Sequence, residues 1–209
     1  AGLAAARDAG ARWVEFDVRL SRDGVCVLAH DAGFRRTAGR SLHISRAGLA
    51  EIRQLDVGRW FGSRFAGERV PTLGQALDYL AENAMGANVE LKRCGRRNGD
   101  LARAVVAEIR RHGAGPVLVS SFSPALLARV RALDSRLALG LLLRRRRRRG
   151  WRRTAAALGC TSIHCADDGL TRATVGQFKQ PGYAGWGFAV NTPARARVFF
   201  ARRPQPGPR

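Results

Sequence analysis

The stretch WVEFDVRLSRDGVCVLAHD, residues 13–31, reads as two apolar-alternating runs folded back on Asp23-Gly24. Asp-Gly between such runs is the strongest short-range hairpin signal a sequence carries. With those two residues as the whole loop, Leu20 faces Val27 and Asp17 faces His30. Directly opposed side chains stand about 5 Å apart on one face of such a ladder. Glu15, two residues before Asp17, shares that face. Two carboxylates and an imidazole are therefore gathered locally, while Val14, Phe16, Val18, Val25 and Val27 supply apolar surface.

At 209 residues and 45% hydrophobic content, residues 1–209 are expected to form a single domain with a real core. No apolar run approaches the roughly 20 residues that a membrane span needs. The chain opens at Ala1 and its single methionine is Met85, so the expectation is a fragment or a processed form.

The formal net charge is +21, carried almost wholly by arginine: Lys92 and Lys179 are the only lysines, and Arg144 to Arg149 form an unbroken run. A basic balance of this size can be a footprint for nucleic acid. No basic-aromatic stacking motif accompanies it, so nucleic acid is not the expected partner. Cys26, Cys94, Cys160 and Cys165 form no CxxC pair. On a strand, His164 and Cys165 point to opposite faces, which argues against a shared zinc. Free thiols in a reducing, cytoplasmic compartment are the expectation.

Residues 32–70 lack periodicity, and the length is too great for an ordinary connection. They read as an insertion with short helices, a loosely packed surface excursion carrying Trp60, Phe61 and Phe65. Thr72 then caps a helix with Leu73, Ala76, Leu77 and Leu80 on one face. Strands are expected at 88–92, 117–122, 137–143, 161–165 and 185–190, with helices over 101–112, 124–133, 151–158 and 170–180 between them. His112 falls where helix-end cations are favoured. Residues 203–209 read as a disordered basic, proline-rich tail. Strands alternating with helices specify an α/β fold with a parallel sheet.

In such folds the chemistry gathers at the C-terminal ends of the strands. Glu90 and Lys92 share a face near the end of one strand, where an unpaired charge is costly. With Glu15 and Asp17, Glu90 makes three hard oxygen donors, suited to Mg²⁺, Ca²⁺ or Mn²⁺ rather than zinc.

These residues resemble the glycerophosphodiester phosphodiesterase family, in a short bacterial cytosolic subtype. The resemblance rests on VEFDVRLSRDGVCVLAHD, RRTAGR, LDVGRWFGSRFAGERVPTL, NVELK, SSFSP, LGLLL, LGCTSIH and AVN, which together run over nearly the whole chain. It implies a (β/α)₈ TIM-barrel-like fold with a small insertion after the second strand. By resemblance, Glu15, Asp17 and Glu90 hold the metal. His30 is the acid/base acting on the leaving alcohol, Lys92 steadies the phosphate, and Trp60 and Phe188 line the substrate's mouth. The implied reaction is hydrolysis of a glycerophosphodiester to glycerol 3-phosphate and an alcohol.

The family's opening His-Arg-Gly strand with its catalytic histidine, and its closing Thr-Asp strand, have no counterpart here. The expectation is therefore an incomplete barrel holding the second to seventh strands, inactive or impaired. A non-catalytic remnant or binding protein of the same fold is the alternative, followed by a basic nucleic-acid-binding protein. The arginine run, at a strand end where a loop begins, reads as a solvated loop.

Overall fold

Alternation along β1 (Trp13–Leu20) sorts its side chains into two populations. Phe16, Val18 and Leu20 are buried on one face, while Glu15, Asp17 and Arg19 occupy the other. In the computed structural model, which describes residues 1–112, 115–144, 150–166, 176–178, 182–188, 190, 192–194 and 197, this division sets up everything downstream.

β2 (Cys26–Leu28) returns antiparallel to β1, but one residue out of the expected register. Leu20 stands opposite Cys26 rather than Val27, and the Ala29 N–H donates to the Asp17 carbonyl at 3.0 Å, so His30 lies one residue beyond Asp17's partner. The loop has three residues, not two: the Ser21 N–H bonds the Val25 carbonyl, and Gly24 closes the turn at φ +85°. A left-handed glycine ending a three-residue loop is the next commonest hairpin solution. It is favoured here because the Ser21 hydroxyl accepts from the Val25 N–H and donates to Asp23, whose other oxygen accepts the Leu49 N–H.

The chain forms two compact units, Ala1–Ala138 and Leu139–Arg209. In the first, β1 pairs in parallel with β3 (Gly86–Leu91), and β3 with β4 (Val117–Ser121). Helices α1 (Gly2–Asp8), α4 (Leu73–Glu82), α5 (Asn98–His112) and α6 (Pro124–Leu133) connect or flank these strands. Thr72 caps α4 as expected: its hydroxyl accepts the Gln75 N–H, and the Gln75 side chain answers the Thr72 N–H. His112 does more than end a helix. Its Nδ1 pairs with Asp78 of α4 and its Nε2 lies 3.3 Å from Glu108.

The excursion over residues 32–70, with α2 (Arg35–Ala38) and α3 (Leu49–Ile52), is not loosely packed. Phe34, Ile44, Ala47, Ile52 and Val70 are all buried and cluster on Val27 of β2. Val27 points away from the side of the ladder that Leu20 and Cys26 share, so β2 offers apolar side chains to each of two cores.

In the second unit β5 (Ala138–Leu143) pairs in parallel with β6 (Ser162–Ala166), and β6 with β7 (Ala184–Phe188); α7 (Trp151–Ala157) connects β5 and β6. His164 is buried, stacked on Trp186 with ring centroids 5.3 Å apart and its Nε2 2.9 Å from Ser162 Oγ. Cys165 occupies the opposite face of the strand, as its adjacency requires. The seven strands among the described residues are thus mostly parallel, and after the β1–β2 hairpin they alternate with helices through β6. Most of the helix expected over 170–180, residues 145–149 of the arginine run and the tail over 203–209 lie outside the described residues.

Candidate metal and phosphate site

Parallel register assembles the acidic cluster. β1 and β3 align Glu15 with Asn88 and Asp17 with Glu90, and β4 adds Ser120 beside Glu90. Because alternate residues share a face, Glu15, Asp17, Asn88 and Glu90 all project to one side of the paired strands. Carboxylate oxygens of Glu15, Asp17 and Glu90 lie within 4.8 Å of one another. Lys92 follows directly, its Nζ 2.8 Å from Asp17 Oδ1 and in contact with Glu90.

The electrostatics show a cluster under stress. Burial, with the neighbouring Asp17 and Glu90 charges, pushes the Glu15 carboxyl up to about 7. Burial raises Glu90 as well, against the hydrogen bond from Lys92. For Lys92, burial opposes the charge, but hydrogen bonds to Asp17 and Glu90 outweigh it and the ammonium is held above its ordinary value.

The residues fit a hard divalent cation. All three clustered donors are carboxylate oxygens, the chemistry such ions select. Asn88 Oδ1 and Ser120 Oγ, which flank them, are buried without a hydrogen-bond partner. A buried acceptor left in that state costs free energy unless something satisfies it.

His30 is held by its neighbours rather than by Asp17. Its Nδ1 is 2.8 Å from Asp31 Oδ1, and Asp31 in turn receives Arg36 Nε at 2.7 Å. These two bonds, His30 first, keep the Asp31 carboxyl below its usual range. Arg19, on the same face as Asp17, donates from Nε and Nη2 to the His30 carbonyl at 3.0 and 2.8 Å. Engaging Nδ1 leaves Nε2 as the ring nitrogen turned outward. The imidazole is close enough to pull the Glu15 and Glu90 carboxyls down, less strongly than burial raises them.

Trp60 lines a cleft of about 250 Å³ with His30, Asp31, Phe34, Arg36 and Pro71. Its indole N–H donates to the Val57 carbonyl at 2.9 Å, and the Arg36 guanidinium lies 5.0 Å over its ring. Phe188 belongs to the second unit, at the end of β7 in register with Ala166. Of the expected residues, Glu15, Asp17, Glu90 and Lys92 are gathered directly, and His30 with Trp60 forms the adjoining cleft. Sequence reasoning missed Asn88, Ser120 and the Arg19, Asp31 and Arg36 supports. Asn88 was readable from its spacing to Glu90; Arg36 was not, since only the fold of the excursion returns it to Asp31.

Three carboxylates and an ammonium thus form one cluster, and the oriented imidazole lines a neighbouring cleft with Trp60. The profile of the Glycerophosphoryl diester phosphodiesterase family matches residues 1–203, and the chain belongs to that family. It is 32% identical over 160 residues to a glycerophosphodiester phosphodiesterase of Caldanaerobacter subterraneus subsp. tengcongensis, covering 76% of this chain and 65% of the relative. Against a glycerophosphodiester phosphodiesterase of Bacillus subtilis the figures are 28% identity over 148 residues, 64% of this chain and 50% of the relative. The chain thus spans about half to two thirds of the length of these two relatives. Among solved structures, a phosphodiesterase of Oleispira antarctica in complex with the product sn-glycerol-3-phosphate superposes with a TM-score of 0.90 at 31% identity, over 95% of this chain and 81% of that one. A glycerophosphoryl diester phosphodiesterase structure from Silicibacter pomeroyi superposes at 0.84 with 27% identity, over 96% of this chain and 80% of that one. The α/β, TIM-barrel-like fold of the family is the fold of this chain.

Proposed function

We propose that the site hydrolyses glycerophosphodiesters to glycerol 3-phosphate and an alcohol, with a divalent cation held by Glu15, Asp17 and Glu90. The carrying observation is the cluster itself: three mutually close carboxylate oxygens with Lys92 bridging two of them. Mg²⁺ and Ca²⁺ suit this all-oxygen set best, with Mn²⁺ next. When bound, the ion supplies Lewis-acid polarisation of the phosphoryl oxygens.

The chain's own residues do the rest. Lys92 keeps a positive charge beside the anionic diester. His30, oriented through Nδ1 by Asp31, offers Nε2 to the ester oxygen. As water adds to phosphorus and the bond to the alcohol breaks, that nitrogen delivers its proton to the departing oxygen, the proton lost by the water passes to solvent, and the imidazole is reprotonated from solvent. Trp60 covers the apolar side of the substrate. A reducing, cytoplasmic setting suits the thiols of Cys26, Cys94, Cys160 and Cys165.

The test is release of glycerol 3-phosphate from glycerophosphoethanolamine by residues 1–209 with Mg²⁺, Ca²⁺, Mn²⁺ or chelator, alongside calorimetric metal titration. Slow metal-dependent release, impaired by the lack of a counterpart to the family's N-terminal histidine and abolished by His30→Ala, is the expected result. Tight metal binding with no release under any condition would overturn the hydrolytic reading in favour of a binding protein on the same fold.

A further inference from the structure

The excursion over residues 32–70 carries an aromatic surface that its own core does not use. Trp60 is 50% and Phe61 68% exposed, two of the four large apolar side chains left exposed among the described residues. They form one patch: Trp60 and Phe61 meet edge-to-face at 5.7 Å, and the tilted rings of Phe61 and Phe65 lie 5.4 Å apart. A contiguous aromatic patch is a contact surface, whereas scattered single exposures are ordinary.

Arginines frame the patch. The Arg36 guanidinium lies 5.0 Å over Trp60 and that of Arg64 4.7 Å over Phe65, while Arg59 is 77% exposed beside them. Residues 32–70 hold eight arginines against Glu51, Asp56 and Glu68. The loop is also stiff. The Asp56 carboxylate accepts the N–H groups of Gly58, Arg59 and Gly67 at 2.9–3.0 Å, which drives it well below the usual carboxylate range and fixes the aromatic tip. Rigid aromatics ringed by cations match the two layers of an anionic membrane surface, with rings at the acyl boundary and guanidinium groups among the phosphates.

The patch also adjoins the site. Trp60 lines the His30 cleft, and a groove of about 850 Å³ bordered by Phe61, Phe65, Leu28 and Tyr79 reaches Glu15. We propose that the Trp60–Phe61–Phe65 patch with Arg59 and Arg64 docks the protein on an anionic lipid bilayer, turning the site's mouth toward the membrane interface. Docking does not depend on the hydrolytic assignment, and its test measures no turnover.

The full chain is floated with vesicles of phosphatidylglycerol and phosphatidylcholine in equal parts, and with phosphatidylcholine alone. Binding to the anionic vesicles that weakens with added salt is expected. Arg64→Ser should lower vesicle affinity about fivefold, in line with roughly 1 kcal/mol for each basic residue at such a surface. Phe61→Ser should lower it by about tenfold, since burial of apolar groups adds to the electrostatic attraction. Phe61 is largely exposed, and an unchanged circular dichroism melt shows that the variant folds. Absence of binding, or binding that survives both substitutions and disappears only when the arginines at 144–149 are replaced by serine, would overturn the proposal. Displacement by duplex DNA whose own binding needs Phe61 would reassign the patch to nucleic acid and likewise overturn it.

Discussion

Lys92 Nζ sits 2.8 Å from Asp17 Oδ1 and also touches Glu90, so a single ammonium is shared between two of the three clustered carboxylates. In the metal-free state it neutralises charge that a cation would otherwise meet. Lys92→Met is therefore expected to tighten divalent-metal binding, read by calorimetry, while slowing turnover about 10²-fold through loss of charge stabilisation. If metal binding weakened instead, the lysine would be positioning the carboxylates and not competing for them.

Removing a ligand should act in the opposite sense. Asp17→Asn and Glu90→Gln each delete one anionic donor, and affinity in such sites follows ligand charge. Each is expected to weaken Mg²⁺ or Ca²⁺ binding by at least about tenfold. A titration in which neither changes would place the ion elsewhere.

His30 owes its orientation to Asp31, 2.8 Å away. Asp31→Asn keeps the shape but withdraws the anion facing Nδ1. Positioned proton transfer is worth about 10²–10⁴ in rate, so a loss of about tenfold or more in kcat is expected, with metal affinity unchanged. Equal losses in both quantities would point to a structural role for Asp31.

Acid should destabilise the second unit through His164. Burial pushes this imidazole down to about 4, against an ordinary value near 6.5. Its folded form stays neutral where the unfolded chain binds a proton. The associated stability is complete above about pH 6.5 and is lost as the pH falls toward 4, by up to about 3 kcal/mol. Chemical denaturation at stepped pH should show this slope, and His164→Asn should flatten it.

The excursion's core gives the plainest stability test. Phe34 is 2% exposed and packs in the Val27 cluster. Phe34→Ala is expected to cost about 3–5 kcal/mol in denaturant titration. A cost below about 1 kcal/mol would mean that the cluster is not a cohesive core.

Much of this architecture was readable from residue order because it is local. Alternation placed Glu15 and Asp17 on one face, Thr72 announced α4, and Glu90 with Lys92 declared a strand end. The hairpin's register was not readable: Asp-Gly signalled a two-residue loop, whereas the Ser21 hydroxyl and the Asp23 bond to the Leu49 N–H select a three-residue one. Asp23 finds that partner 26 residues away, beyond the reach of any turn rule. The core of the excursion escaped notice for a related reason. Phe34, Ile44, Ala47, Ile52 and Val70 follow no period, and converge only once Val27 gives them a wall.

The two ends of that excursion meet. The Leu28 N–H donates to the Pro71 carbonyl at 3.0 Å, and Val27 bridges to Thr72, so the chain leaves β2 and returns beside it. Everything between is a cartridge with its own core, hung on Val27 of β2, whose register partner Arg19 shares a face of β1 with Asp17. Loop lengths can change at such a seam at small entropic cost. A differently shaped cartridge could be exchanged there while Asp17 and Glu90 stay where β1 and β3 put them. The carboxylates on β1 and β3 are thus physically separable from the cartridge, whereas His30, Asp31 and Arg36 would be retuned together with it by selection or by design.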